Sequence, residues 1–253
     1  MSHLNGQAAL VTGAEVGIGR ATALALARAG ADVAVHFYAD EAGARDVARE
    51  IEALGRRAAT FGADLTKSGD VTRTVADAQS HFGRIDILVN NAGGLLGRHA
   101  LVDMTDEFFH AVLDVNVLTT FLCCRAVAPG MIGRGSGAIV NLTSLAAHNG
   151  GGPGASVYSA AKAAVLALTK AYAKELAPHG IRVNAVSPGL IGGTPFHKTF
   201  TPPEAFAATV KTIPLGRAGT PEDVANVIAF LAGAGAAYLA GETIEINGGM
   251  FMR

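Results

Sequence analysis

The chain has 253 residues, 50% of them hydrophobic and only 16% charged, so it can bury a large core. A formal net charge of −1 with no basic run excludes a general attraction to nucleic acid or anionic lipid. Its two cysteines, Cys123 and Cys124, are adjacent, which excludes an unstrained disulfide between them, and no Cys/His spacing suits a metal.

The opening residues Met1-Ser2-His3-Leu4-Asn5-Gly6 carry neither a basic nor an apolar leader region, and the apolar stretch Val227 to Ala240 is too short to span a bilayer. The expectation is a cytoplasmic protein with no membrane partner. From there strand-like apolar runs alternate with helical patterns. Ala8–Val11 reads as a buried strand, Ile18–Arg28 as a helix, Val33–Phe37 as a strand, and Glu41–Leu54 as a helix ended by Gly55. Further strands fit Ala58–Gly62, Asp86–Asn90, Ala138–Leu142, Arg182–Val186 and Thr243–Ile246, with long helices over Glu107–Met131 and Val157–Leu176. This alternation predicts an α/β fold, a single doubly wound Rossmann-type parallel sheet flanked by helices on both faces. No linker divides the chain. Residues 192–213 break the rhythm with Pro195, Pro202 and Pro203 and read as a substrate lid, against the plainer reading of an irregular surface connection.

Directly after the first strand comes Thr12-Gly13-Ala14-Glu15-Val16-Gly17-Ile18-Gly19, and a helix starts at once. Gly13 permits the turn, Gly17 lets the backbone approach a diphosphate, Gly19 allows close helix–strand packing, and the helix N-terminus favours the anion. Spaced GxxxGxG, this turn is similar to that of the short-chain dehydrogenase/reductase family, and further motifs follow in the family's order: Asp64-Leu65, Asn90-Asn91-Ala92-Gly93, Asn116, Ser144, Tyr158-Ser159-Ala160-Ala161-Lys162 and Pro188-Gly189. The resemblance spans essentially the whole chain and is closest to 3-oxoacyl-carrier-protein-reductase-like members. It implies a nicotinamide cofactor held by Gly13, Glu15, Gly17, Ile18, Gly19, Phe37, Asp64, Leu65, Asn90, Ala92, Gly93, Tyr158, Lys162, Pro188, Gly189, Ile191 and Thr194. It implies catalysis by Asn116, Ser144, Tyr158 and Lys162, and no metal.

Tyr158 and Lys162, four apart, share a helix face, and an ammonium beside the phenol is expected to lower its pKa and make it a proton donor and acceptor. Ser144 would hydrogen-bond the substrate oxygen, and the resemblance gives Lys162 the ribose hydroxyls and Asn116 a relay water. A surface Tyr/Lys pair is the bland alternative, which the whole constellation outweighs.

Compared with the family, the glycine-rich run Asn149-Gly150-Gly151-Gly152-Pro153-Gly154 and the run Leu190-Ile191-Gly192-Gly193-Thr194 are each longer by a residue, which reshapes the substrate pocket. The cofactor mark is divided. Phe37 stands where NAD-preferring relatives carry an Asp, and no Arg or Lys occupies the places that NADP-preferring relatives use. Glu15 and Asp40 lie where a 2′-phosphate would approach, at a cost on the order of 1 kcal/mol each, so NAD(H) is favoured over NADP(H). His36 or Arg45 holding the phosphate is the counter-reading. The expected substrate is a small carbonyl or alcohol compound, such as a keto sugar or a uronate-derived aldehyde or ketone. The alternatives are a 3-oxoacyl-carrier-protein reductase and, from another class, a non-catalytic dinucleotide-binding regulator. His148 could line the substrate pocket, and His197, Arg98 and Arg217 could each meet an acidic substrate, with surface solvation the plainer reading for each. Apolar and small residues on the two long helices, together with the tail Gly248–Arg253, predict a homotetramer.

Overall fold

The computed structural model describes residues 4–252, so Met1–His3 and the final Arg253 of the tail lie outside the described residues. Short apolar runs punctuated by turn glycines give seven strands: β1 Ala8–Val11, β2 Asp32–Phe37, β3 Ala58–Gly62, β4 Ile87–Asn90, β5 Gly137–Leu142, β6 Ile181–Pro188 and β7 Thr243–Ile246. They form one sheet in the order β3-β2-β1-β4-β5-β6-β7, and every pairing is parallel. Parallel strands need crossovers, which the helices supply: α1 Gly17–Arg28, α2 Glu41–Ala53, α3 Ser68–Phe82, α4 Asp106–Leu113, α5 Thr119–Arg134, α6 Ala146–Asn149, α7 Ser156–Leu176, α8 Pro195–Phe200, α9 Pro203–Val210 and α10 Pro221–Ala232.

Side chains alternate across each strand, so the sheet feeds two cores. Ala9, Val11, Val33, Val35, Ile87 and Val89 face α1, α2 and α10 through Leu24, Val47 and Ile228. Leu10, Ala34, Leu88 and Ile139 face α3 and α5 through Val71, Leu122, Val127 and Met131. Cys123 and Cys124 are buried in this second core, where desolvation pushes both thiols up, so they are inert packing groups.

The long helix predicted over Glu107–Met131 is interrupted. Between α4 and α5 the segment Asp114–Leu118 forms one π-helical turn. Among the described residues the run Asp106–Arg134 is the one helix long and apolar enough to cross a membrane, yet it packs through Leu122, Val127 and Met131 into the second core. Strand order reverses between β1 and β4, and a cleft opens there at the carboxyl ends of the strands. The segment after β6 leaves and rejoins the body at one point: Gly192 donates its N–H to Gly219 O (2.8 Å), and Gly219 to Leu190 O (2.9 Å). Between these anchors α8 and α9 each begin with proline, whose fixed φ suits a first helical turn, and α8 lines the cleft.

Candidate active site

The floor of the cleft at one end is the turn between β1 and α1. Gly13 and Gly17 have φ of +59° and +58°, the left-handed region. A Cβ on Gly19 would lie 1.9 Å from Gly13 O, so glycine is required there by close packing. Side chains at the ends of β1, β2 and β4 fix the turn. Thr12 Oγ1 accepts the N–H groups of Asn91 and Ala92, both at 2.9 Å, and Asn91 Nδ2 donates to Gly13 O (2.8 Å). His36 Nδ1 accepts the Gly13 N–H at 3.1 Å, while Nε2 lies 3.2 Å from Ala63 O and donates to it in the tautomer this requires.

This end fits a dinucleotide. Val16 at the start of α1 makes no side-chain cap, leaving first-turn N–H groups open to an anion. Glu15 lines the cleft, and its Oε2 is buried without a hydrogen-bond partner among the described residues, an acceptor suited to a ribose hydroxyl. Burial raises the Glu15 pKa; amide N–H groups of Glu15 and Tyr38 oppose this, and the charge of Asp40 adds to it. Asp40 itself caps α2, accepting the Gly43 N–H at 2.9 Å. Burial drives His36 down to about 4, so it is neutral, and Arg45 pairs with Glu41 at 2.6 Å.

At the other end β5 delivers Ser144, α7 delivers Tyr158 and Lys162, and the π turn delivers Asn116. Lys162 Nζ donates to Leu142 O (3.0 Å) and stands 5.8 Å from the Tyr158 ring centre. Asn116 is fully buried; its Nδ2 donates to the carbonyls of Gly94 and Val112, both 2.8 Å, and its Oδ1 accepts the Gly94 N–H at 3.2 Å. Gly93 fills the gap between Asn116 and Lys162, since a Cβ there would lie 2.6 Å from Asn116 Oδ1 and 3.1 Å from Lys162 Nζ. Phe196 of α8 lies against Tyr158, its ring centre 5.8 Å from that of the tyrosine.

The expected lowering of the Tyr158 pKa is corrected by this geometry. Burial pushes the phenol up to about 12, opposed by the Ser144 hydroxyl, and pushes Lys162 down to about 8. Desolvation of two closely packed groups outweighs their spacing on the helix. Tyr158 is therefore a neutral phenol at pH 7, ready to donate a proton.

The cleft, about 580 Å³, brings together Gly13, Glu15, Gly17, Ile18, Ala92, Gly93, Ser144, Tyr158, Lys162, Pro188, Gly189, Ile191 and Thr194. Gly19 supports it from below, as does Asn116. Besides Gly19, four expected cofactor residues are not among its lining. The Phe37 ring lies across Gly62, where a Cβ would be 2.7 Å from its Cζ. The Asp64 carboxylate is taken up by Thr66 (2.6 Å) and Lys67 (3.4 Å), and Leu65 is buried in the second core. Asn90 Nδ2 donates to Asn141 Oδ1 at 2.8 Å, tying β4 to β5. His148 lies 3.0 Å from Glu245 and stacks on Phe251, and Arg217 pairs with Asp223 at 2.7 Å; neither lines the cleft, whereas Arg98 and His197 do. Sequence reasoning assigned no cofactor role to Thr12, Asn91 and Tyr38. The Thr-Gly and Asn-Asn pairs beside the glycine turn were the available signal.

A family model described as Enoyl-(Acyl carrier protein) reductase matches residues 13–251. The chain is 43% identical over 253 residues, all of both chains, to a 3-oxoacyl-[acyl-carrier-protein] reductase of Synechocystis sp.. Among solved structures, an NADH-dependent reductase responsible for alginate metabolism superposes with a TM-score of 0.91 at 33% identity over 100% of both chains. A 7α-hydroxysteroid dehydrogenase complexed with NADH and 7-oxo glycochenodeoxycholic acid does so with a TM-score of 0.93 at 34% identity, over 98% of this chain and 95% of that one. The chain belongs to the short-chain dehydrogenase/reductase family, as a 3-oxoacyl-carrier-protein-reductase-like oxidoreductase that acts on C=O and CH–OH groups with a nicotinamide cofactor.

Proposed function

We propose that the protein is an NADH-preferring reductase of a small polar carbonyl compound, working in the cytoplasm as a homotetramer. One observation carries the reading: Ser144, Tyr158 and Lys162 converge at one end of a cleft whose other end is a glycine turn edged by an unpartnered carboxylate oxygen of Glu15. When bound, the nicotinamide exchanges a hydride with the carbonyl carbon. Ser144 orients the substrate oxygen, and Tyr158 gives it the proton that turns C=O into CH–OH. The Lys162 ammonium, held by Leu142 O, supplies positive charge as the phenol loses that proton. Asn116 keeps the Gly94 backbone in place.

NADH is supported by Glu15, which meets a ribose hydroxyl as an acceptor and a 2′-phosphate, with close to two negative charges, as a repeller. Both solved relatives are described with NADH. Apolar Leu101, Val102, Phe109 and Phe121 on the surface around α4 and α5 support assembly. A second reading, 3-oxoacyl-carrier-protein reductase, is favoured by the names of the curated relatives. Steady-state kinetics with NADH and NADPH against keto acids, keto sugars, uronate-derived aldehydes and acyl thioesters test both. Higher kcat/KM with NADH and a small carbonyl compound supports the first; NADPH with a thioester overturns it.

A further inference from the structure

Beyond Tyr158 the cleft ends in a chamber walled by three segments: the loop after β4, the glycine-rich run between α6 and α7, and α8 of the lid. Its lining is small or apolar (Gly151, Gly152, Ala155, Phe196) apart from the neutral hydroxyl of Thr199, His197 and Arg98. Burial and the neighbouring Arg98 charge lower the His197 pKa, and its Nδ1 lies 3.0 Å from Thr201 Oγ1, so that ring is a neutral polar group. Lys162 is engaged by Leu142 O, and Glu15 lies at the glycine turn, on the far side of Tyr158. Arg98 is left as the charge of this chamber, and among the described residues it has no carboxylate partner.

Its position is built by all three segments. Arg98 Nε donates to Phe200 O of α8 (3.2 Å), and Nη1 donates to Pro153 O of the glycine-rich run (2.8 Å). His99 N donates to Gly154 O (3.2 Å), and Gly154 has φ of +74° with no room for a Cβ, which would lie 2.9 Å from Arg98 Cβ. Leu96, in the loop that presents Arg98, has φ of +59°, a conformation that non-glycine residues hold only at a cost. The glycine-rich run between α6 and α7 is thus held against Arg98 at both Pro153 and Gly154.

A guanidinium has a planar fork of five donors, and two neutral carbonyls use only part of it. Closing the lid over a neutral substrate would strip water from an uncompensated charge, whereas a carboxylate matches both the fork and the charge. Resting on the reading of a small polar carbonyl substrate, we propose that Arg98 is the specificity-determining residue of this site and takes the carboxylate of an anionic carbonyl substrate.

The test compares NADH-dependent reduction of matched pairs, a keto acid and its methyl ester, by wild type, Arg98→Gln and Arg98→Lys. Arg98→Gln keeps a donor for the loop carbonyls without the charge. Wild type should prefer the acid by about tenfold or more in kcat/KM, and Arg98→Gln should lose about 10- to 100-fold on the acid, mostly in KM, while the ester is unchanged. Arg98→Lys should restore part of the loss, and added salt should weaken wild type on the acid only. Equal rates on acid and ester, or equal losses on both in Arg98→Gln, overturn the proposal and leave the reductase reading intact. A larger loss on an acyl-coenzyme A thioester than on the keto acid also overturns it, since the anion would then be a phosphate of the carrier arm. Absence of turnover with every carbonyl compound overturns the reductase reading together with this inference.

Discussion

His36 Nδ1 accepts the backbone N–H of Gly13, so a buried ring at the end of β2 holds the first turn of the cofactor site. Protonating that ring would place two donors face to face, and burial already drives it down to about 4. The folded pKa lies below the unfolded value of 6.5, so the unfolded chain binds more protons between the two. This stability is present above pH 6.5 and is lost as pH falls toward 4, by up to about 3 kcal/mol. His36→Asn should flatten that acid limb in urea titrations from pH 7 to 4 and weaken NADH binding. An unchanged acid limb would contradict the role.

Gly93 separates Asn116 from Lys162. Gly93→Ala should therefore displace one or both, lowering kcat by about 100-fold and also lowering the melting temperature, because Asn116 and Lys162 are both buried. Calorimetry beside kinetics checks this; full activity would mean the gap is unneeded.

Lys162 carries a cost in the folded state. Burial lowers its pKa to about 8, below the unfolded 10.5, so stability rises with pH between those values and is lowest below 8. The cost of the buried ammonium at pH 7 is about 3 kcal/mol, against about 1 for its hydrogen bond to Leu142 O. Lys162→Met should lose activity and melt at a higher temperature at pH 7, with the gain shrinking toward pH 10. A lower melting temperature at pH 7 would show that the ammonium stabilises the fold.

Glu15 sets cofactor choice in this account. Glu15→Gln should narrow the NADH over NADPH ratio of kcat/KM by about tenfold, and the wild-type ratio should fall with pH as Glu15, whose pKa is raised, takes up a proton. A ratio insensitive to both changes would place discrimination elsewhere.

Strands were legible because a run such as Ile87–Asn90, buried on both faces, is apolar up to the asparagine at its end and stops at a turn signal. The convergence of Ser144, Tyr158 and Lys162 on one cleft was legible because Tyr158 and Lys162 share one helix face and Ser144 follows a strand. The π turn at Asp114–Leu118 was not, since Asp-Val-Asn-Val-Leu carries no mark that separates it from α-helix. Thr12 and Asn91 act across 79 positions through backbone atoms, beyond any local periodicity. The direction of the Phe37 ring, which lies across the adjacent Gly62, is likewise not reported by its position on β2. The rise in the Tyr158 pKa depends on how tightly the phenol is enclosed, which spacing does not report.

Tyr158→Phe tests the central claim most directly. Removing one oxygen preserves the ring and its contact with Phe196, so NADH should bind within a few fold of wild type, as read by fluorescence titration. Reduction of an accepted carbonyl compound should fall by about three or more powers of ten in kcat, as expected when proton transfer is lost from the transition state. Near-normal kcat in this variant would contradict Tyr158 as the proton donor and the mechanism built on it.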